Sequence, residues 1–491
     1  MKINKYTIET FNFIIVRKGK SDRIIIAYPY INMDYTEIDE FLNHREKRVL
    51  HQEQLLRNTS GGVTLATVRV NYPGIKKSNY ITDRIAKIVC EDIYLFHNKN
   101  IICKEIYKNK EGVIGHFIFN TDNIEVKKQL IYMEENHILG RCVDIDVYYL
   151  DDSDPLMPSL RGVSRSDIGL EPRKCFLCTE EARICSRSQK HSIEKIKEYF
   201  NSKYEEYTCY VGKRDKLSYE ISQLALKSMI TEVSTMPSYG LVSPVTKGSH
   251  KDMNYYTFLE SSFAIAPFIK EMVEVGYSYE TPKNIFKAIR IIGIRCEDTM
   301  FKVTKGVNTH KGMIFLIGVV ATALGKALYE KLSFNKVQII LKDMCENILD
   351  DFNDLHKKKE LTHGEALYLE YGFAGIRGEI KKGLENIFQE IIPKHKSSNL
   401  KGNDLYSETL LMLISKVEDS TIVHRQNIEK LREVQRRAYE ILNLGGFNSE
   451  EGIKAAHDFE KQCIDENVSP GGSADLLALV IFLTESERFF S

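Results

Sequence analysis

The sequence predicts an α+β multidomain protein, with an α/β domain over residues 1–200 and an all-helical domain over residues 210–491. Three observations predict the division. The chain has 491 residues, room for two to four domains at roughly 150 residues each. Short β-rich runs cluster before residue 200. After about residue 217 apolar residues recur at helical spacing, and strand signals nearly vanish.

In the first part, residues 24–27, 63–70 and 143–149 are rich in β-branched and aromatic side chains and read as strands. Residues 37–57 and 122–135 read as helices between them, and such alternation implies an α/β layer. Residues 192–207 are charged and predict a helix followed by a short linker. Beyond them, 221–233, 284–303, 313–331, 404–417 and 427–444 carry the helical period. The longest apolar run, 313–324, contains Gly318 and is closed by Gly325 and Lys326. A membrane span needs about 20 apolar residues, so this run predicts a buried helix. Lys+Arg and Asp+Glu both number 68, which gives no electrostatic case for nucleic acid or an anionic membrane. Ten scattered cysteines without a secretory leader pattern predict reduced thiols and a cytoplasmic protein.

Three features of the first part carry chemistry. In Gly140-Arg141-Cys142-Val143-Asp144-Ile145-Asp146, the two aspartates sit two apart on a predicted strand, so they share a face. Paired carboxylates suit Mg²⁺ holding a polyphosphate, although a solvated strand end reads the same way locally. Arg45, Arg48 and Gln52 share one helical face. With the turn ending at Lys76 they form a candidate phosphate clamp, since guanidinium groups are forked donors and ammonium a point charge. Cys175, Cys178, Cys185 and His191 fall within 17 residues and are a candidate tetrahedral Zn²⁺ set. The competing reading has residues 179–188 helical and Cys185 as a small buried side chain.

These motifs stand in a fixed order. Arg-Glu-x-Arg-Val-x2-Gln at 45–52 is followed by Asn-x-Pro-Gly-x-Lys at 71–76 and Gly-Arg-x2-Asp-x-Asp-Val at 140–147. Ser164-Arg165, Gly169-Leu170, Arg173 and the Cys/His set complete the series. Together they resemble the apo-citrate lyase phosphoribosyl-dephospho-CoA transferases over about residues 36–195. The resemblance implies that a serine of the citrate lyase acyl carrier (gamma) subunit attacks 2′-(5″-triphosphoribosyl)-3′-dephospho-CoA and pyrophosphate leaves. Asp144 and Asp146 are then expected as metal ligands, and Arg45, Arg48, Gln52 and Lys76 as substrate contacts.

The second part punctuates its helices with polar, glycine-bearing turns. Gly306, Asn308, His310 and Lys311 precede the apolar helix, and Gly471, Gly472 and Ser473 precede another. Helix starts expose N–H groups that suit phosphate, and the same grammar serves ordinary capping. Arg377 and Glu379 lie in a third cluster, and Lys251-Asp252-Met253 echoes Lys311-Gly312-Met313. Glu297 and Asp298 lie about two helical turns before the 305–312 loop. As a set, Gly-x-His-Lys-Asp-Met at 248–253, Gly-Val-Asn-Thr-His-Lys-Gly at 306–312, Gly-x2-Gly-x-Arg-Gly-Glu at 372–379 and Ser-Pro-Gly-Gly-Ser-Ala-Asp at 469–475 resemble the triphosphoribosyl-dephospho-CoA synthases. One turn departs: the family's Pro-x-Pro-Gly-Leu-Val-Asp is Pro237-Ser238-Tyr239-Gly240-Leu241-Val242-Ser243 here.

This second resemblance implies that the 2′-hydroxyl of 3′-dephospho-CoA attacks ATP at the ribose and adenine leaves with the triphosphate retained. His310, Lys311, Lys251 and Arg377 are expected to hold the triphosphate, Glu297 and Asp298 to hold Mg²⁺, and Asp252 or Glu379 to take the proton. A malonate decarboxylase counterpart is the neighbouring alternative. A metal-binding interaction protein with a degenerate C-terminal domain is the alternative from another class.

Overall fold

A computed structural model describes residues 12–18, 22–28, 37–59, 61–151, 153, 159–352, 355, 361 and 363–490. The chain divides into two compact units, Met1–Gly212 and Lys213–Ser491.

The first unit is built on seven strands: β1 (Asn12–Lys18), β2 (Asp22–Tyr28), β3 (Thr64–Val70), β4 (Ile101–Asn109), β5 (Gly112–Phe119), β6 (Val143–Asp151) and β7 (Ser159–Val163). They form one sheet in the order β2-β1-β4-β5-β3-β6-β7. Every neighbouring pair is antiparallel. The alternation of strands and helices therefore does not produce the parallel layer of an α/β domain. Antiparallel neighbours need only a short turn, as Lys110-Glu111 supplies between β4 and β5. The helices α2 (Tyr80–His97) and α3 (Asn123–Asn136) instead join strands that are not neighbours.

Period-two alternation sorts the sheet into two faces. Ala66, Val68, Val143, Ile145 and Val147 are fully or almost fully buried on one of them. There α2 lies so close that a Cβ on Gly115 would meet Cys90 Sγ at 2.4 Å. On the other face α1 (Glu37–Arg57) packs Leu55 and Leu56 against Leu65 and Ile118. Burial of such side chains contributes about 1.5–3 kcal/mol each. Its polar stretch, Arg48 to Gln52, reaches across the same face toward β3. The unit closes with α4 (Ala182–Arg187), inside the segment expected to be helical.

The short linker expected within residues 192–207 is absent. One helix, α5, runs Ile193–Ser234. Nothing between its ends breaks a helix except Gly212, which costs about 1 kcal/mol against alanine. The second unit continues with α6 (Tyr255–Gly276), α7 (Pro282–Val303), α8 (Lys311–Tyr329), α9 (Val337–Met344), α10 (His363–Tyr371) and α11 (Gly375–Lys381). It ends with α12 (Ile392–Ser397), α13 (Gly402–Ile414), α14 (Ser420–Arg425), α15 (Ile428–Asn443), α16 (Glu450–Asp465) and α17 (Gly471–Ser486). No strand occurs among its described residues. The helix α8 is long and apolar enough to cross a membrane by composition, with 78% of its apolar window buried in this structure. A Cβ on Gly276 would lie 2.1 Å from Thr322 O, so α6 and α8 meet backbone to backbone.

Two candidate active sites

In the first unit the site grows from β-strand register. Arg69 stands opposite Asp144, and Thr67 opposite Asp146, on β3 and β6. Across β3 from Asp146, His116 on β5 also faces Thr67. Arg69 donates to Asp146 at 2.6 Å, and Arg173 donates to Asp144. Arg173 also gives Nη2 to the carbonyls of Val143 at 2.9 Å and Arg141 at 3.3 Å. Burial pushes the Asp144 carboxyl above its ordinary value, against the pull of Arg173.

The expected clamp residues separate. Arg48 is buried and spends its guanidinium on Glu111, with Nε 3.0 Å from Oε1. Gln52 is fully buried and donates to Thr67 Oγ1 at 2.7 Å. Thr67 thus passes its own proton to His116 Nδ1 at 3.0 Å, and burial keeps that imidazole neutral. Arg48 and Gln52 therefore build the floor of the site. Arg45 is exposed, and Lys76 extends into solvent within 3.9 Å of Glu37. Lys77, one residue on, turns inward instead. Its ammonium donates to Tyr72 O, and burial followed by the nearby Arg69 lowers its pKa. Arg69, Lys77 and Glu111 escaped the sequence reading, because strand register and a loop's facing are set by pairing and not by local pattern.

Cys175, Cys178, Cys185 and His191 do come together, with one ligand atom of each lying within 4.8 Å of the others. The helix α4 carries Cys185 inward, so its helical, buried state and its place in the cluster are compatible.

In the second unit two cavities adjoin along the glycine turns, and a third lies between α7, α8 and Arg377. The first, about 260 Å³, is bounded by Glu232, His250, Asn308, His310, Lys311 and Asp475. The second, about 560 Å³, is bounded by Glu379, Lys381, Lys382, Lys416, Glu418 and Asp419. Ile376, Ser420 and Gly472 line both, so they adjoin. The third, about 250 Å³, has Arg377, Arg290 and Glu297 around apolar walls.

The first cavity is unusual in its proton chemistry. Burial alone pushes Glu232 up to about 8. Asp475 rises well above its ordinary value, through burial first and then Glu232 and Asp419. Its carboxylate lies where a Cβ on Gly312 would be, at 2.1 Å, which is why glycine stands at the start of α8. His310 is buried and held neutral, with its pKa lowered to about 3 by burial. Thr309 donates to Ser261 at 2.7 Å, so Ser261 gives its own proton to His310 Nδ1 at 2.7 Å. That fixes the proton of the ring on Nε2, which has no partner among the described residues.

The expected phosphate cradle at Gly471, Gly472 and Ser473 is filled from within. Asp419 Oδ2 accepts Ser473 N–H at 2.8 Å and Ser473 Oγ at 3.1 Å. Gly472 N–H also reaches this carboxylate, and Gly471 N–H goes to Ser469 O at 3.0 Å. Asp419 Oδ1 caps α14 through Thr421 N–H at 3.0 Å. One buried carboxylate thus caps two helices.

The remaining expected residues scatter. Glu297 pairs with Lys311 at 3.2 Å, whereas Asp298 is exposed. Adjacent residues on a helix do not face each other, so these two do not converge on one ion. Asn308 Oδ1 accepts Lys311 N–H at 3.2 Å. Gly306 takes φ +91°, a conformation that favours glycine. Lys251 and Asp252 are exposed and line none of the three cavities, while His250 beside them faces Ser469 Oγ at 2.9 Å. Arg377 is exposed and lies over the Phe352 ring at 5.4 Å. Burial raises Glu379 in the second cavity. The altered turn buries Ser243 and Tyr239, with Glu460 accepting from Tyr239 N–H and from Ser238 at 3.2 Å. Leu241 and Val242 from this turn line the first cavity.

Comparison with known proteins places each unit in a family. Residues 218–490 match the profile of the family described as ATP:dephospho-CoA triphosphoribosyl transferase. Residues 36–207 match that of apo-citrate lyase phosphoribosyl-dephospho-CoA transferase. Protein CitXG of Leuconostoc mesenteroides subsp. cremoris is 31% identical over 472 residues, covering 92% of this chain and 98% of that protein. The chain belongs to the CitXG family. Protein CitXG of Haemophilus influenzae is 32% identical over 463 residues, 91% of this chain and 95% of that one. The 2-(5''-triphosphoribosyl)-3'-dephosphocoenzyme-A synthase of Haemophilus ducreyi is 33% identical over 326 residues, 62% of this chain and 98% of its own length. The protein is a bifunctional transferase of citrate lyase prosthetic-group biosynthesis, with synthase and transferase activities and with ATP and dephospho-CoA as substrates.

Glu232 and Asp475 were not among the expected catalytic groups. Glu232 sits one residue before the end of the apolar pattern at 221–233, where a lone carboxylate reads as a surface position. Asp475 lies inside the quoted motif at 469–475 and was passed over for its glycines.

Proposed function

We propose that the adjoining cavities of the second unit are the synthase site and that the Asp144 face of the first unit is the transferase site. The unit boundaries follow: transfer within about residues 1–200, synthesis within about 210–491. Breaking the glycosidic bond of ATP builds positive charge on the ribose and negative charge on adenine. The observation that carries the reading is a cavity in which Glu232 keeps a proton at neutral pH, with the raised Asp475 carboxyl and the Nε2–H of His310 lining the same space. The carboxyl pair protonates the departing adenine, and His310 hydrogen-bonds it. Glu379, raised by burial above its ordinary value, takes the proton of the attacking 2′-hydroxyl. Asp252, exposed and off the cavities, has no such role. Lys311, Lys381, Lys382 and Lys416 meet the phosphates.

In the transferase site, Asp144 and Asp146 would hold Mg²⁺, which neutralises charge developing on the phosphates. The fit is good, because Mg²⁺ is commonly bound by one or two carboxylates plus substrate oxygens. Arg45, Arg69 and Lys77 surround that position as phosphate contacts. Glu297 alone is the matching carboxylate at the synthase site. The acceptor is the serine of the citrate lyase acyl carrier subunit, in the cytoplasm, and pyrophosphate leaves. Two carboxylates on one strand of a sheet also support a nucleotidyltransferase-like reading of the first unit.

The test follows both products. Full-length protein with ATP, Mg²⁺ and dephospho-CoA is expected to release adenine, and added apo carrier to gain the mass of the phosphoribosyl-dephospho-CoA group. Asp144→Asn abolishes the mass gain and leaves adenine release intact. Glu379→Gln does the reverse when precursor is supplied. Loss of both activities in either variant overturns the assignment.

A further inference from the structure

Arg173 makes the closest contact to Asp144, and its segment is anchored by Phe176, which stacks on Tyr199 at 4.6 Å. The same segment carries the cysteine cluster and is closed by backbone pairing. Lys174 bridges Glu181, Cys175 N–H donates to Glu180 O at 2.7 Å, and Ala182 N–H donates to Arg173 O at 2.8 Å. The loop so closed, 173–182, contains Cys175 and Cys178, and α4 returns Cys185 beneath it. Arg141, next to the strand that bears Asp144, donates to Lys174 O.

The sulfur spacing distinguishes the available chemistries. Cys178 Sγ and Cys185 Sγ are 3.9 Å apart. A disulfide needs about 2.0 Å. Two thiolates on a tetrahedral Zn²⁺, each about 2.3 Å from the metal, stand about 3.8 Å apart. All four ligand atoms lie within 4.8 Å of one another. Leu177 N–H points at Cys175 Sγ at 3.4 Å, a contact that stabilises a metal thiolate. His191 Nε2 is buried with no hydrogen-bond partner among the described residues. An orphaned buried imidazole nitrogen beside three thiols needs a ligand to offset its desolvation.

We propose that Cys175, Cys178, Cys185 and His191 bind one Zn²⁺, and that this ion fixes the loop that presents Arg173 to Asp144. The zinc is structural: four protein ligands close its coordination and leave no open position for substrate. Binding displaces the thiol protons to solvent. Arg173 is a positioning residue that sets the orientation of Asp144. This second half of the proposal rests on the reading of Asp144 as a transferase residue.

The test begins with metal content, which is independent of activity. Full-length protein purified without chelator is expected to carry about one zinc per chain by mass spectrometry. Cys185→Ser loses it, and His191→Cys, which supplies a fourth thiolate, keeps it. Native protein free of zinc, or with Cys178 and Cys185 joined as a disulfide, overturns the site. The link to Arg173 is tested by transfer to the apo carrier. Zinc removal by chelator and Arg173→Ala each slow transfer by about tenfold or more while adenine release continues. Combined, they lose no more than the larger single effect, because both act through one contact. Multiplying losses overturn the link. Full transfer by Asp144→Asn overturns the transferase reading instead and leaves the zinc count standing.

Discussion

Replacing Glu232 by Gln separates stability from catalysis at one side chain. The carboxyl keeps its proton in the folded chain up to about pH 8, against an ordinary value of 4.5. Between those values the unfolded chain has released a proton that the folded chain retains. The unfolded state binds fewer protons there, so stability falls as pH rises through the window. At pH 7 the cost is two and a half units, about 3 kcal/mol, and at pH 5 it is below about 1 kcal/mol. Gln has no proton to retain, so Glu232→Gln gains on the native protein by roughly 2–3 kcal/mol more at pH 7 than at pH 5. Packing differences between the two side chains are the same at both pH values and cancel in that comparison. Urea unfolding of the full chain at each pH, followed by far-ultraviolet circular dichroism of the helical unit, measures it. The same variant loses adenine release by about 10²-fold or more, as expected for removal of a positioned acid. In the native enzyme, release declines as pH rises above about 8. A Gln variant whose advantage is equal at pH 5 and pH 7 refutes the burial argument. One that releases adenine at the native rate refutes the acid.

Three further outcomes are expected. Asp419→Ala uncaps α14 and α17 together, at about 1 kcal/mol for each cap, and lowers the urea midpoint of the helical unit. Lys77→Ala slows transfer to the carrier by about tenfold or more, whereas Lys76→Ala, at an exposed pair, changes it by less than about twofold; the reverse order would show that the exposed lysine meets substrate. Gly312→Ala forces a Cβ against the Asp475 carboxylate and slows adenine release with carrier transfer unchanged, measured on the same sample with precursor supplied.

Much of the site was legible because it obeys local rules. Asp144 and Asp146 share a face through the two-residue period of a strand, whatever the rest of the sheet does. The four zinc-capable residues are close in the chain, so their convergence required only a short loop and one turn of helix. What pairs across the fold was not legible. The alternation of strands and helices suggested parallel crossovers, but helices can also bridge strands separated by a hairpin partner, and periodicity does not reveal strand order. Arg69 stands opposite Asp144 and reaches Asp146 only because β3 and β6 pair in one register. Lys76 and Lys77 are the same residue type one position apart, and the direction of each depends on how the loop docks. Gly471 to Ser473 carried the signature of an anion-binding helix start correctly, but an internal carboxylate from a distant segment is also an anion.

That last feature bears on how the synthase should respond to its medium. With Asp419 seated at the start of α17, the helix offers its first N–H groups to the protein itself. Phosphate binding in the second cavity then falls to Lys381 and Lys382, both exposed, and to Lys416, already paired with Glu390. Attraction by exposed ammonium groups fades with ionic strength, over a screening length of about 8 Å at 0.15 M salt. Buried N–H groups would be far less sensitive. KM of the synthase for its anionic substrates is therefore expected to climb with added salt while kcat, set by the groups of the first cavity, holds steady.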